Sequence, residues 1–248
     1  MLYPLFLFTM SGHSHWAGIK HHKGVNDAKR AAIFTKYGRA IIVAASHGGG
    51  NPDTNFALRL AIDQAHSVNM PKENIERAIA RGSGELKEGA QIEELTYEAY
   101  GPGNVAMLIE TTTDNKNRTV SEIKTLLTKG GGKFVPAGSL SFLFKRVGRV
   151  SFPCPPDQKE SLELFAIEAG AEDFSLEDDT FSVFTKPTEL QTVKAALEAH
   201  SLVPTSALLG YLPVQTVTLT GDTLNTFERL YEVLDDHPDV QTIWHNLK

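Results

Sequence analysis

A single cysteine, Cys154, leaves the chain unable to form an internal disulfide or a thiolate metal cluster, which fits a reducing, cytoplasmic setting. Long apolar runs are also missing. The opening stretch of Leu2, Tyr3, Leu5, Phe6, Leu7 and Phe8 is far shorter than the ~20 residues that cross a bilayer. It has neither the basic leader nor the small-residue cleavage site of a secretory signal. Met10-Ser11-Gly12 reads as the more natural start, so residues 1–9 read as an upstream extension, with a tethered hydrophobic arm as the alternative. The two glycine triplets, Gly48-Gly49-Gly50 and Gly130-Gly131-Gly132, lack the G-x-x-x-x-G-K-[ST] spacing of a phosphate loop and read as helix stops. With no nucleophile motif and no metal-ligand set, the expectation is a protein that is not an enzyme, with no cofactor and no small-molecule substrate.

What is present is ordinary globular material, 41% hydrophobic and 22% charged, in a length of 248 residues that suggests two or three compact units. Charge is distributed unevenly. Residues 1–84 carry 10 Lys and Arg against 5 Asp and Glu, and residues 85–150 carry 9 against 8. Residues 151–248 carry 5 against 17. The N-terminal part is therefore the one suited to approach phosphate, and the C-terminal part repels it. Six of the nine histidines, His13, His15, His21, His22, His47 and His66, also lie in the basic part.

Helical periodicity over Val25 to Ser46 places Phe34, Tyr37, Ile41 and Ala44 on one buried stripe, with Lys29, Lys36 and Arg39 projecting from the other side. A second helix follows Asn51-Pro52-Asp53 with Leu58, Ile62 and Ala65 inward, and a third opens at Pro71, carries Ile75 and Ile79 and closes at Gly82. Beyond Gly84 the period changes. Leu95 to Tyr100 and Val105 to Thr111 predict a hairpin around Gly101-Pro102-Gly103-Asn104, followed by a helix from Asn117 to Lys129. Next come strands over 140–144 and 149–152, a helix through Leu162, Leu164, Phe165 and Ile167, a hairpin over 174–184 and a helix over 188–200. Strand 214–220, helix 222–234 and strand 240–244 complete the pattern. The fold class is α+β: an N-terminal three-helix bundle followed by two ferredoxin-like α+β domains. The expected division is a helical domain over 10–84, a discontinuous α+β domain from 85–135 plus 208–248, and an inserted acidic α+β domain over 136–207.

The candidate nucleic-acid-binding residues are Lys20, Lys23, Lys29, Arg30, Lys36 and Arg39, which supply phosphate-neutralising cations without any marked base-reading helix. A solvated helix face is the plain alternative. Trp16 is a possible stacking residue, or else a hydrophobic plug. The cluster of His13, His15, His21 and His22 has no metal-ligand spacing and reads as a polar arm, so no metal is expected. Asp114, Asn115 and Arg118 sit where a strand gives way to a helix and suit capping, with an anion site as the alternative. Asp235, Asp236 and Asp239 read as a solvated loop, or as a docking surface for a basic partner.

Several motifs together resemble one family. These are Gly12-His13-Ser14-His15-Trp16, Asp27-Ala28-Lys29-Arg30, Ile33-Phe34-Thr35-Lys36 and Leu58-Arg59-Leu60-Ala61-Ile62, then Asn69-Met70-Pro71-Lys72-Glu73-Asn74-Ile75. Further along come Tyr97-Glu98 to Tyr100-Gly101-Pro102-Gly103, Thr113-Asp114-Asn115-Lys116-Asn117-Arg118-Thr119 and Val240-Gln241 to His245-Asn246. Over residues 10–248 the chain is similar to the YebC/PmpR family. The resemblance implies a three-domain transcriptional regulator that binds DNA. Its alternative is a translation factor meeting ribosomal RNA or tRNA on ribosomes stalled at proline-rich stretches, as assigned to relatives that include a mitochondrial translational activator. The family usually has Lys at the position of His15 and Arg at that of His22, so two cations expected from the resemblance are titratable here.

Overall fold

The computed structural model describes residues 27–86, 92–154, 158–177, 179–200 and 202–248, with the backbone alone at 27–29. The alanine-rich helix α1 (Asp27–Gly48) ends where Gly49 takes φ +83°, a conformation that costs glycine little. Helices α2 (Phe56–Ser67) and α3 (Lys72–Gly82) pack against it. Their shared core holds Ile41, Ala45, Leu58, Ala61, Ala65, Met70, Ile75 and Ala78, with Phe34 and Tyr37 packed on its margin.

One buried side chain fixes the first corner. Asn55 Oδ1 accepts the Leu58 N–H at 3.1 Å, which caps α2. Its Nδ2 donates to the carbonyls of Ala44 at 2.7 Å and Gly49 at 2.8 Å, which satisfies acceptors at the end of α1. Gly82 serves close approach rather than a left-handed stop. A Cβ there would lie 2.3 Å from the Ile42 carbonyl oxygen and 2.7 Å from Ala45 Cβ, so only glycine lets α3 come this near α1.

Two four-stranded antiparallel sheets follow. The first joins β1 (Glu93–Tyr100), β2 (Ala106–Thr113), β3 (Lys133–Val135) and β8 (Val240–His245) in the order β3-β1-β2-β8. The β1–β2 hairpin is therefore central. Helices α4 (Lys116–Lys129) and α7 (Gly221–Asp235) bring Ile123, Leu127, Phe227, Leu230 and Leu234 into its core. The second sheet has the chain order β4 (Phe144–Pro153), α5 (Lys159–Glu168), β5 (Asp173–Glu177), β6 (Thr180–Thr185), α6 (Leu190–Ala199), β7 (Ser206–Pro213). Its strand order is β5-β6-β4-β7, the ferredoxin-like arrangement.

The chain forms two compact units. One contains the helical bundle and the first sheet, up to Phe144 and again over Leu219–His245. The other contains Lys145–Thr218 and Asn246–Lys248. No helix among the described residues is long and apolar enough to cross a membrane.

Three strand expectations are corrected. Residues 140–143 form a turn instead of a strand, because the buried Glu98 carboxylate accepts the N–H groups of Gly138, at 2.7 Å, and of Leu140. The expected strand at 149–152 is part of one longer strand, β4. The alternating run 214–220 carries only one isolated bridge, Val217 to Leu247, while the less β-prone 206–213 supplies β7. The second sheet thus extends past the expected boundary at 207. In α5, Leu164 and Ile167 are each 61% exposed and lie off its buried face, which Leu162 and Ala166 form.

Candidate nucleic-acid interface

Of the candidate residues, Trp16, Lys20 and Lys23 lie outside the described residues, as does the side chain of Lys29. Arg30 stands exposed on α1. Lys36 and Arg39 do project away from the Phe34–Tyr37–Ile41 stripe, but not into solvent. Lys36 Nζ lies 3.1 Å from Asp235 Oδ1, with side-chain exposures of 13% and 21%. Arg39 Nη1 pairs with Asp239, whose side chain is 1% exposed, and also donates to the carbonyls of Pro238 at 3.0 Å and Thr112 at 3.3 Å. The reading of these two cations as a solvated ridge is therefore corrected. The face opposite the apolar stripe is covered by the acidic turn between α7 and β8, which a periodicity argument within one helix does not register.

Asp235 and Asp239 are corrected with them. Neither is a solvated loop residue, and each one meets a basic group of the chain's own α1. Asp236 alone remains exposed.

Asp239 anchors a wider network that the sequence reading missed. Arg118 Nη2 lies 2.9 Å from Asp239 Oδ2 and 2.9 Å from Asp114 Oδ1. The hydroxyls of Thr119 and Thr113 lie 2.6 Å and 3.2 Å from Asp239 Oδ2. Burial pushes the Asp239 carboxyl up, but hydrogen bonds from Arg118, Thr119 and Arg39 outweigh it and hold the group at about 2. The hydrogen bond to Asp239, and then that to Asp114, raise Arg118 above its ordinary value. The nearest sequence signal was the run from Thr113 to Thr119. Asn115 does cap α4, accepting the Arg118 N–H at 3.1 Å, and the anion beside that helix start is the chain's own Asp239.

Glu122, His237 and Asp239 lie close enough together to offer ligand atoms to a metal. Their bonding fits a hydrogen-bond chain better. His237 Nδ1 accepts the Asp239 N–H at 3.2 Å, which leaves Nε2 as the N–H side facing Glu122 Oε2 at 3.0 Å. Two guanidiniums already neutralise Asp239, and a metal ion there would meet their repulsion. Beside this network a cleft of about 260 Å³ is lined by Thr35, Gly38, Arg39, Ile42, Arg81, Ile92 and Asp114, which places a second arginine near Arg39.

Comparison with known proteins gives a consistent set of matches. The TACO1/YebC protein N-terminal domain matches residues 14–85, and the TACO1/YebC second and third domain matches residues 92–247. A relative from Acidithiobacillus ferrooxidans, named a probable transcriptional regulatory protein, is 48% identical over 237 residues, covering 96% of this chain and 94% of its own. A relative from Moorella thermoacetica with the same name is 48% identical over 240 residues, covering 96% and 95%. Among solved structures, a conserved hypothetical protein from Aquifex aeolicus superposes with a TM-score of 0.85 at 43% identity, covering 95% of this chain and 97% of that one.

Proposed function

Because the chain belongs to the TACO1/YebC family, whose bacterial relatives carry the name probable transcriptional regulatory protein, we propose that it is a non-enzymatic cytoplasmic regulator that binds DNA through its N-terminal helical region. The observation that carries this reading is the charge polarity, with 10 cations against 5 anions in residues 1–84 and 5 against 17 in residues 151–248. Phosphate attracts the first part and is repelled by the second, so the contact belongs to the helical region. Arg30, on the exposed surface of α1, and Lys29 beside it continue the basic run that begins with Lys20 and Lys23. Contacts of this kind grip the backbone and leave sequence selection to shape or to other groups.

The test is a titration of the full chain against generic duplex DNA at several salt concentrations. Expected is an affinity that falls linearly with salt on logarithmic axes, with a slope of about 0.9 per neutralised phosphate. Substituting Lys20, Lys23 and Arg30 with Gln lowers affinity and makes the slope shallower. Absence of binding at low salt, or an unchanged slope in the substituted protein, overturns the reading. Ribosome co-sedimentation at the same salt identifies an RNA target if DNA binding fails.

A further inference from the structure

The acidic turn that covers α1 has a consequence for the proposed binding surface, and the inference rests on that reading. Phosphate and carboxylate compete for the same ammonium groups, and here a carboxylate already occupies one of them. Lys36 Nζ lies 3.1 Å from Asp235 Oδ1. Asp235 is the last residue of α7, a helix whose first turn carries Asp222 and whose last turn contains no basic residue. A helix C-terminus is a site of partial negative charge that attracts a cation, and Lys36 is the cation that α1 brings to it. The two pairs differ in how deeply the carboxylate is buried. Arg39 is fixed by three acceptors, and its carboxylate partner is buried and shared with Arg118. Asp235 is 21% exposed where Asp239 is 1%, and Lys36, about as buried as Arg39, reaches its carboxylate on a flexible four-carbon stem.

We propose that Asp235 is a built-in competitor for phosphate at Lys36, so that the free protein carries its nucleic-acid-binding helix partly capped and exchanges this carboxylate for phosphate on binding. Arg39 and Asp239 act as the fixed rivet that keeps α1 against the first sheet while the exchange takes place. The cap lowers affinity for phosphate in general and sets a threshold of local negative charge that a polyanion must exceed.

The test uses the full chain in four forms: unaltered, Asp235→Asn, Lys36→Gln and the double variant, with Asp236→Asn as a control. Asp236 lies one residue away, is exposed and is matched in charge. Circular dichroism and thermal unfolding establish that each is folded, and fluorescence anisotropy on a 20-base-pair duplex of arbitrary sequence reads affinity at fixed salt. Asp235→Asn is expected to tighten binding roughly two- to five-fold, the fold-change carried by one partly exposed ion pair. The salt slope should stay that of the unaltered chain, because Lys36 meets phosphate in both forms and only the cost of displacing the carboxylate is removed. Lys36→Gln should abolish that gain in the double variant, and Asp236→Asn should give less than Asp235→Asn. Equal gains from Asp235→Asn and Asp236→Asn, or the same gain with and without Lys36, reduce the effect to bulk charge and overturn the cap. Unchanged affinity in Asp235→Asn, with normal binding by the unaltered chain, also overturns the cap but leaves the nucleic-acid reading standing. Absence of binding in every form removes both.

Discussion

Replacing Asp239 by Asn probes the most heavily bonded carboxylate in the described part of the molecule. The substitution keeps size and shape but removes the charge that faces Arg39 and Arg118, and it turns an NH2 group toward one of these donors or toward Thr119. Breaking one side of a buried ion pair costs about 3–5 kcal/mol, since the remaining charge is left without compensation. The titration of Asp239 gives a separate figure. Its folded value of about 2 lies below the ordinary 3.8, so the charged form is favoured on folding by roughly 2 kcal/mol. That contribution is complete above about pH 4 and disappears as pH falls through 2. The remainder of the expected loss reflects the misplaced amide hydrogens. Urea unfolding at pH 7 measures the total, with fluorescence of Trp244, on β8, as the probe in a Trp16→Phe background that leaves no other tryptophan. Asp236→Asn serves as the control and should lie within about 0.5 kcal/mol of the parent. A cost for Asp239→Asn below about 1 kcal/mol at pH 7 would refute the view that this network joins α1 to the first sheet. So would a difference from the parent that fails to narrow between pH 4 and pH 2.

Three further outcomes are expected. Asn55→Ala removes a helix cap together with the amide that donates to two carbonyls, and should lower stability by about 2–3 kcal/mol in denaturant, with Asn55→Asp recovering the cap alone. Gly82→Ala should destabilise by about 1–3 kcal/mol through the clash with α1, the opposite sign from a glycine-to-alanine change at an open helical position, and thermal unfolding distinguishes the two. Burial holds His245 at about 4, below its ordinary 6.5, so the neutral ring supports the fold fully above about pH 6.5 and this support is lost as pH falls through 4. The loss is about 3 kcal/mol, and His245→Phe should flatten stability against pH in that window, where Asp239 still contributes fully.

The helices were legible because their signals are local. The Phe34–Tyr37–Ile41 stripe, the proline before Lys72 and the glycines after α1 and α4 each act within a turn or two of the helix they define. The strands were legible where hairpin chemistry marked them, at Gly101–Asn104 and at the turn before Thr180. Strand β7 was missed because Ala207, Leu208, Leu209 and Gly210 give neither clean alternation nor β-branching, and hydrogen bonding to β4 decides their state. The exposure expected of Lys36 and Arg39 was misjudged for a similar reason. That Lys36 and Arg39 lie on the polar face of α1 follows from helical angle, but that Asp235 and Asp239 come to rest on this face depends on the packing of elements some 200 residues away.

The chain order of the first sheet bears on how the protein is made. Strand β2 pairs β1 within a tight hairpin, yet its other edge is closed only by β8, with Met107 opposite His245. A ribosome adding about 5–20 residues per second leaves that edge open for on the order of ten seconds after β2 emerges. During this interval the whole of β4 to β7 is synthesised as one continuous stretch whose strands pair with one another and not with β2. An apolar strand with a free edge is a template for pairing with another chain, so the nascent hairpin is the point at which synthesis is most exposed to misassembly. Slowing elongation between residues 213 and 245 should therefore raise aggregation more than the same pause placed before residue 106.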